Sequence, residues 1–233
     1  MLEVDGAFGV ARELKRPLLE LRQLAFGFDG NGPEDEKIRA KMVGVADKAI
    51  RRMDDLTKIK LLSNGEYQMG PVAVRALCDD VISEVSKIWT FTHQRCEMKV
   101  KYSNRSRLVK ANEELLFSVI FNFLLDAMNY TDGEFKTELL VREINRKVEI
   151  NIRDFGPALP MEMWHKVKEN LNVASDIAMR PESSMVGLYI ASKFSKYMDA
   201  EIGAVRHADG TSFFIRLPVS RQLSLWEHND FDC

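Results

Sequence analysis

The sequence predicts an α+β protein, in which an antiparallel helical hairpin precedes a sandwich of helices on a mixed or antiparallel sheet. Three observations support this prediction. Apolar residues within the first 65 positions recur every three or four residues, as in helices that bury a narrow seam. After residue 66, short alternating segments typical of strands are interleaved with amphipathic helical segments. The chain has 233 residues, 45% of them apolar, and is long enough to bury a core.

Each helix of the predicted hairpin carries one apolar seam. The seam of the first helix is Leu14, Leu18, Leu21, Ala25 and Phe28. The seam of the second helix is Ile38, Met42, Val45, Ala49, Met53, Leu56 and Ile59. Asn64-Gly65 follows, which is typical of a helix stop. Because one hairpin covers its own seams poorly, we expect two copies to pair as a four-helix bundle, which makes the protein a homodimer.

The sandwich is predicted from its alternating and helical segments in chain order. They are an extended piece at 71–74, a helix over 75–93, strands at 97–102 and 108–111, a helix over 113–130, strands at 137–144 and 147–153, a helix over 185–198 and a hairpin of strands at 201–206 and 212–217. Asn112 is placed to cap the second of these helices. Residues 161–182 are weakly patterned and predict a loop or lid.

Charge and cysteine content exclude several classes of protein. The net charge of −2 does not indicate a nucleic-acid binder. No apolar run is long enough for a membrane helix, and the first residues lack a signal-peptide pattern. Three cysteines without a close pair and four scattered histidines favour neither disulfides nor a metal site. We therefore expect a cytoplasmic protein.

Five segments resemble the motifs of sensor histidine kinases, in the order in which that family carries them. The motif of the phosphoacceptor helix is resembled by residues 11–18, ARELKRPL, and the N-box by residues 122–131, NFLLDAMNYT. The glycine boxes and the closing strands are resembled by DFGPA at 154–158, GLYI at 187–190 and GTSFF at 210–214. The resemblance implies a dimerisation and phosphotransfer-like hairpin at 1–65, an ATPase-like α/β sandwich of the histidine kinase, gyrase and MutL type at 66–220, and a tail at 221–233.

The phosphoacceptor position departs from the family pattern. Arg12 stands where the resemblance places the histidine, and a guanidinium that stays protonated cannot act as its nucleophile. Glu13 keeps the neighbouring acid position, and Arg16 replaces the residue that orients water in phosphatase-active members. Arg12, Lys15 and Arg16 share an outward helix face, which predicts either a docking site for an acidic partner or a solvated surface.

The implied nucleotide site is also altered on its phosphate side. Asp126 replaces the N-box asparagine that helps to hold Mg²⁺, although a carboxylate can bind this ion, and Asn129 replaces a basic residue beside Tyr130. Ala158 and Met185 stand where glycines belong, and glycines let backbone N–H groups approach phosphates closely.

Other positions of the nucleotide site agree with the family pattern. They are Asn122, Asp154, Gly156, Gly187 and Thr211. The resemblance makes Asp154 the reader of the adenine amino group. Asp154 is also explained as a turn residue before a glycine, and Asn122 as a polar residue of a helix surface. We expect ATP and Mg²⁺ to bind weakly or not at all, and no cofactor is firmly indicated.

Three functions fit these residues. The first is a catalytically degenerate histidine-kinase-like protein that binds and modulates a response regulator or a partner histidine kinase, without phosphotransfer. The second is an active kinase or ATPase with an acceptor other than Arg12. The third is a phosphotransfer or structural dimer in which the ATP fold serves only as a scaffold. The second function requires nucleotide binding, the third function forbids it, and the first function does not depend on it.

Overall fold

A computed structural model gives the architecture. It describes residues 15, 17–28, 32, 35–92, 96–103, 108–128, 135–158, 160, 161, 164, 171 and 185–220. Within these residues a helical N-terminal region is followed by a five-stranded sheet with helices on one face. The predicted fold class is therefore confirmed.

The N-terminal region consists of two helices. Helix α1 is described over residues 17–26, and α2 spans Asp35–Leu61. Lys41 on α2 lies 3.9 Å from Glu20 on α1, measured between Nζ and Oε1. A 3-10 turn at Leu62–Asn64 leads to Gly65, whose left-handed φ of 69° ends the helical segment. The predicted helix stop is thus confirmed, because glycine adopts this conformation without steric cost.

The sheet is mixed, with strand order β2-β4-β5-β7-β6. Its strands are β2 Cys96–Tyr102, β4 Phe135–Ile144, β5 Lys147–Asp154, β6 Glu201–His207 and β7 Gly210–Pro218. Only the β2–β4 pair of this sheet is parallel. A second, two-stranded sheet pairs β1 Gly70–Ala73 with β3 Leu108–Ala111.

Three helices cover one face of the large sheet. They are α3 Val74–Thr92, α4 Glu113–Met128 and α5 Met185–Tyr197. Helix α4 begins at the predicted cap, where Asn112 Oδ1 accepts the N–H of Leu115 at 3.0 Å. Nearly every residue of α4 is buried, because the helix lies between the sheet and the other helices. It therefore forms the centre of the core.

The seam predicted for α2 is partly used within one copy of the chain. Val45 is buried, and Leu56 and Ile59 pack against the core of the sandwich. The sandwich of the same copy thus covers the C-terminal half of this seam, and the pairing of two copies as a four-helix bundle stays a prediction. Met53 of the predicted seam is exposed, and so are Val43 and Ile50 on the adjoining face of α2.

The predicted elements agree with the observed ones to within a few residues at each end. The strand predicted at 137–144 starts at Phe135, and the helix predicted to reach 130 is described as far as Met128. The proposed lid at 161–182 lies outside the described residues except for Met161, Trp164 and Leu171, and the predicted tail lies outside them altogether. Among the described helices, none has the length and apolar character needed to span a membrane.

Candidate functional site

Three strands bring a carboxylate and two hydroxyl groups together on the helix-facing side of the sheet. Asp154 ends β5 and lies opposite Thr137 of β4. Thr211 of β7 donates its backbone N–H to Asp154 Oδ1 at 3.2 Å. All three residues are at most 1% exposed. Side chains alternate along a strand, so these polar groups continue the rows that carry the apolar core.

The two hydroxyl groups beside Asp154 mark this place as a polar site. Thr137 Oγ1 and Thr211 Oγ1 are buried and have no hydrogen-bond partner among the residues that the structure describes. Leaving such a group unpaired costs about 1–3 kcal/mol, so it indicates an ordered water or a ligand with polar edges. These residues therefore fit the adenine side of the nucleotide site that the sequence motifs imply.

Asp154 also shapes the loop that follows β5. Its Oδ1 accepts the backbone N–H of Gly156 at 3.1 Å, which is the hydrogen bond of an Asx turn. The turn role that the sequence left open is therefore confirmed. The role of Asp154 as an adenine reader stays a prediction.

Gly210 closes the same corner of the site. Its φ is 131°, which L side chains rarely adopt. A Cβ built on this residue would overlap the backbone carbonyl oxygen of Asp154 and lie 2.8 Å from its Oδ1. Only glycine lets the β6–β7 turn approach Asp154 so closely.

A second buried polar cluster joins the N-box helix to the hairpin. Asn122 Nδ2 donates to Asp55 Oδ2 of α2 at 3.2 Å and to the carbonyl oxygen of Ser118 at 2.8 Å. Ser118 Oγ donates to Asp55 Oδ1 at 2.7 Å. Asp55 is 1% exposed and Asn122 4%. The alternative that Asn122 is a polar residue of a helix surface is therefore wrong.

The hydrogen bonds fix the orientation of the Asn122 amide. Both partners of its nitrogen are acceptors, so the NH₂ group must face Asp55 and Ser118. The amide oxygen then faces α5, where a Cβ on Gly187 would lie 3.1 Å from it. Gly187 of the GLYI motif thus leaves room for the Asn122 amide rather than forming a turn.

Cations surround the cluster on the hairpin side. Lys58 Nζ lies 3.7 Å from Asp55 Oδ1 and 2.8 Å from Glu114 Oε1. Arg51, one turn before Asp55, donates to Glu84 Oε1 of α3 at 2.8 Å and lies 4.3 Å from the centre of the Phe121 ring. The C-terminal half of α2 is therefore held on α3 and α4 by charge, stacking and apolar contacts together.

Burial dominates the electrostatics of Asp55. Removal from water raises the pKa of this carboxyl group, while its hydrogen bonds to Ser118 and Asn122 and the charges of Lys58 and Arg51 lower it only in part. An ionised carboxylate at this position is consequently less favourable than one in water.

The remaining predicted site residues divide into two groups. Asp126 is buried on α4, Ala158 is half-buried in the loop after β5, and Met185 begins α5. Lys15 is exposed. The others lie outside the described residues and are Arg12, Glu13, Arg16, Asn129 and Tyr130.

Sequence reasoning missed Asp55, Ser118 and Thr137. Thr137 is the first residue of the strand predicted at 137–144 and belongs to none of the motifs. Ser118 lies one turn before Asn122, which is a weak signal. Asp55 has a usable signal, since it lies one turn before the apolar seam residue Ile59, on the side of α2 that the seam predicts to be buried.

The comparisons with known proteins agree with this arrangement. Residues 111–221 match the family model of the histidine kinase-, DNA gyrase B-, and HSP90-like ATPases. Over 151 residues the chain is 28% identical to the adaptive-response sensory kinase SasA of Microcystis aeruginosa, covering 64% of this chain and 38% of the relative. Residues 111–221 thus form an ATPase domain of this family, and the chain is similar to the catalytic core of sensor histidine kinases.

Solved structures show the same fold for this histidine kinase-type core. The full-length structure of ShkA in complex with AMPPNP superposes with a TM-score of 0.61 at 17% identity, covering 96% of this chain and 46% of that one. The histidine kinase ThkA, solved in complex with the response regulator TrrA, gives a TM-score of 0.58 at 15% identity, covering 93% and 61%. The chain spans about two fifths of the length of the SasA relative.

Proposed function

We propose that this protein is a catalytically silent member of the two-component signalling proteins, which forms a homodimer and binds a response regulator or a partner histidine kinase. The observation that carries the proposal lies at the N-box. The amide of Asn122 is bonded to Asp55 and Ser118, and a buried carboxylate, Asp126, follows one turn later. Both features disfavour a triphosphate at this position.

The phosphoacceptor position supports the same proposal. Arg12 stands at the motif position of the histidine, and an arginine side chain offers no neutral nitrogen for attack on a phosphoryl group. A protein that lacks both a phosphoacceptor residue and the phosphate side of a nucleotide site can still act by binding a partner protein. The basic residues Arg12, Lys15 and Arg16 suit the acidic pocket of a response regulator, because arginine forms charge-assisted hydrogen bonds with carboxylates.

The first prediction concerns phosphotransfer. Incubation of the protein with γ-labelled ATP and Mg²⁺ is expected to leave it unlabelled, because the histidine position holds Arg12. Gel autoradiography measures this, with an active histidine kinase as the positive control. Acid-labile, base-stable label on any histidine would contradict the proposal and favour an active kinase with another acceptor.

The second prediction concerns the partner surface. Arg12→Ala is expected to weaken binding to a response-regulator receiver domain by about 1–3 kcal/mol, the worth of a charge-assisted hydrogen bond, and to leave the homodimer intact. The partner is first selected from the receiver domains of the source organism by calorimetry. Arg146→Ala, in the exposed β4–β5 turn, is the control. Equal affinities of wild type and Arg12→Ala would show that this arginine is only solvated.

One observation favours a second candidate function, binding of an adenine nucleotide. The buried hydroxyl groups of Thr137 and Thr211 beside Asp154 suit the edge of a base better than they suit an apolar scaffold. Calorimetric titration with Mg²⁺-ATP tests this second candidate. Submicromolar affinity supports the nucleotide-binding function, whereas millimolar or undetectable binding contradicts it, and the labelling experiment above decides catalytic silence.

A further inference from the structure

We propose that Asp55 is a positioning residue through which the hairpin helix α2 controls the phosphate side of the nucleotide-type site. It holds the Asn122 amide and places a negative charge beside the N-box, and both effects oppose a bound triphosphate. The inference rests on the nucleotide-type site described above and adds to the proposed function a physical link between hairpin and site.

The Asn122 amide already donates both of its protons within the protein. Asn122 Nδ2 has two protons, and these donate to Asp55 Oδ2 at 3.2 Å and to the Ser118 carbonyl oxygen at 2.8 Å. A phosphate oxygen that required the same donor would have to displace one of them. Displacing Asp55 leaves a buried carboxylate with one hydrogen bond fewer, which is unfavourable.

Two carboxylates near Asn122 also oppose a phosphate at this position. Asp55 lies on one side of Asn122, and Asp126 follows Asn122 by four residues on the same face of α4. Both carboxylates are buried, where charges interact more strongly than in water. Lys58 lies 3.7 Å from Asp55 but forms a shorter ion pair with Glu114, and Arg51 is bonded to Glu84. A triphosphate that enters this region therefore meets two buried carboxylates, and the cations near Asp55 are shared with other acidic residues.

Asp55 approaches the N-box from the hairpin. The residue belongs to α2, which also anchors Arg51 to Glu84 and to the Phe121 ring. A shift of α2 along or away from α4 would withdraw Asp55 and free the amide. Linkage requires the converse, that a ligand which captures Asn122 weakens the docking of α2 on α4.

The test compares Asp55→Asn with Asp54→Asn, an exposed neighbour on the same helix, in the full chain. Calorimetry measures the affinities for Mg²⁺-AMPPNP and for adenosine, which lacks phosphates. Asp55→Asn is expected to raise the affinity for Mg²⁺-AMPPNP roughly tenfold or more, as loss of a nearby like charge allows, and to leave adenosine unchanged. Asp54→Asn is expected to change neither.

Two results would overturn the inference. They are an unchanged ratio of the two affinities, whether or not both change in parallel, and no detectable Mg²⁺-AMPPNP binding by the variant. Asp55→Ala serves as a second variant, because it removes the buried charge and also releases the Asn122 amide from its side-chain acceptor. Label transfer from ATP would overturn the proposed function but not this inference, whereas an unchanged affinity ratio would overturn only the inference.

Discussion

Gly210→Ala is expected to lower the free energy of unfolding by about 3 kcal/mol or more. The backbone at Gly210 has φ 131°, so an alanine is strained there whatever the space around it. Its Cβ would also overlap the Asp154 carbonyl oxygen and lie 2.8 Å from Asp154 Oδ1. Neither atom can retreat easily, because Asp154 is fixed by the β5 ladder and by its bonds to Thr211 and Gly156.

Urea unfolding followed by circular dichroism measures this effect. Gly70→Ala is the matched control, since a Cβ at Gly70 meets nothing within 4 Å, and we expect it to change stability by no more than about 0.5 kcal/mol. Equal stabilities of Gly210→Ala and wild type would show that the β6–β7 turn does not need the close approach to Asp154.

Ile50→Glu is expected to convert the homodimer into a monomer without unfolding the protein. Ile50 is 57% exposed in the single chain, and it lies about 140° round α2 from Asp55, at 100° per residue. The face that docks on the sandwich is therefore not the face that carries Ile50 and Val43. A glutamate at this position stays in contact with water in the single chain. In a four-helix bundle it would place a charge in the interface, which is unfavourable.

Light scattering at micromolar concentration gives the mass of both forms. Val205→Glu is the control, because Val205 is 42% exposed on the edge strand β6 and lies outside the hairpin. A monomeric wild type would contradict the homodimer proposal directly. A dimeric Ile50→Glu would show that the exposed stripe of α2 is not the interface.

Much of the fold could be predicted from the sequence because local patterns specify it. Val148, Ile150 and Ile152 alternate with polar residues and form the inward row of β5, and Asn112 caps α4 as expected. Asp209-Gly210 predicts the turn of the closing hairpin, which the structure forms between β6 and β7. These features depend on neighbours within a few residues, and a single sequence displays them.

The candidate site could be predicted only where a motif marks it. Asp154, Gly156 and Thr211 are joined by hydrogen bonds, as the order of the motifs suggested. Thr137 could not be identified, because it reaches Asp154 through strand pairing across 17 positions of the chain. Pairing of that kind depends on register, and no local pattern carries it.

The sequence by itself determined the architecture, whereas the assignment of Arg12 to the phosphoacceptor position and the altered glycine positions stay predictions. The tertiary structure alone decided where α2 packs. An apolar seam specifies burial but not the surface that covers it, since the hydrophobic effect has no direction. The sandwich covers Leu56 and Ile59, and this docking places Asp55 against Asn122, 67 positions further along the chain. That hydrogen bond exists only because two separately folded segments meet.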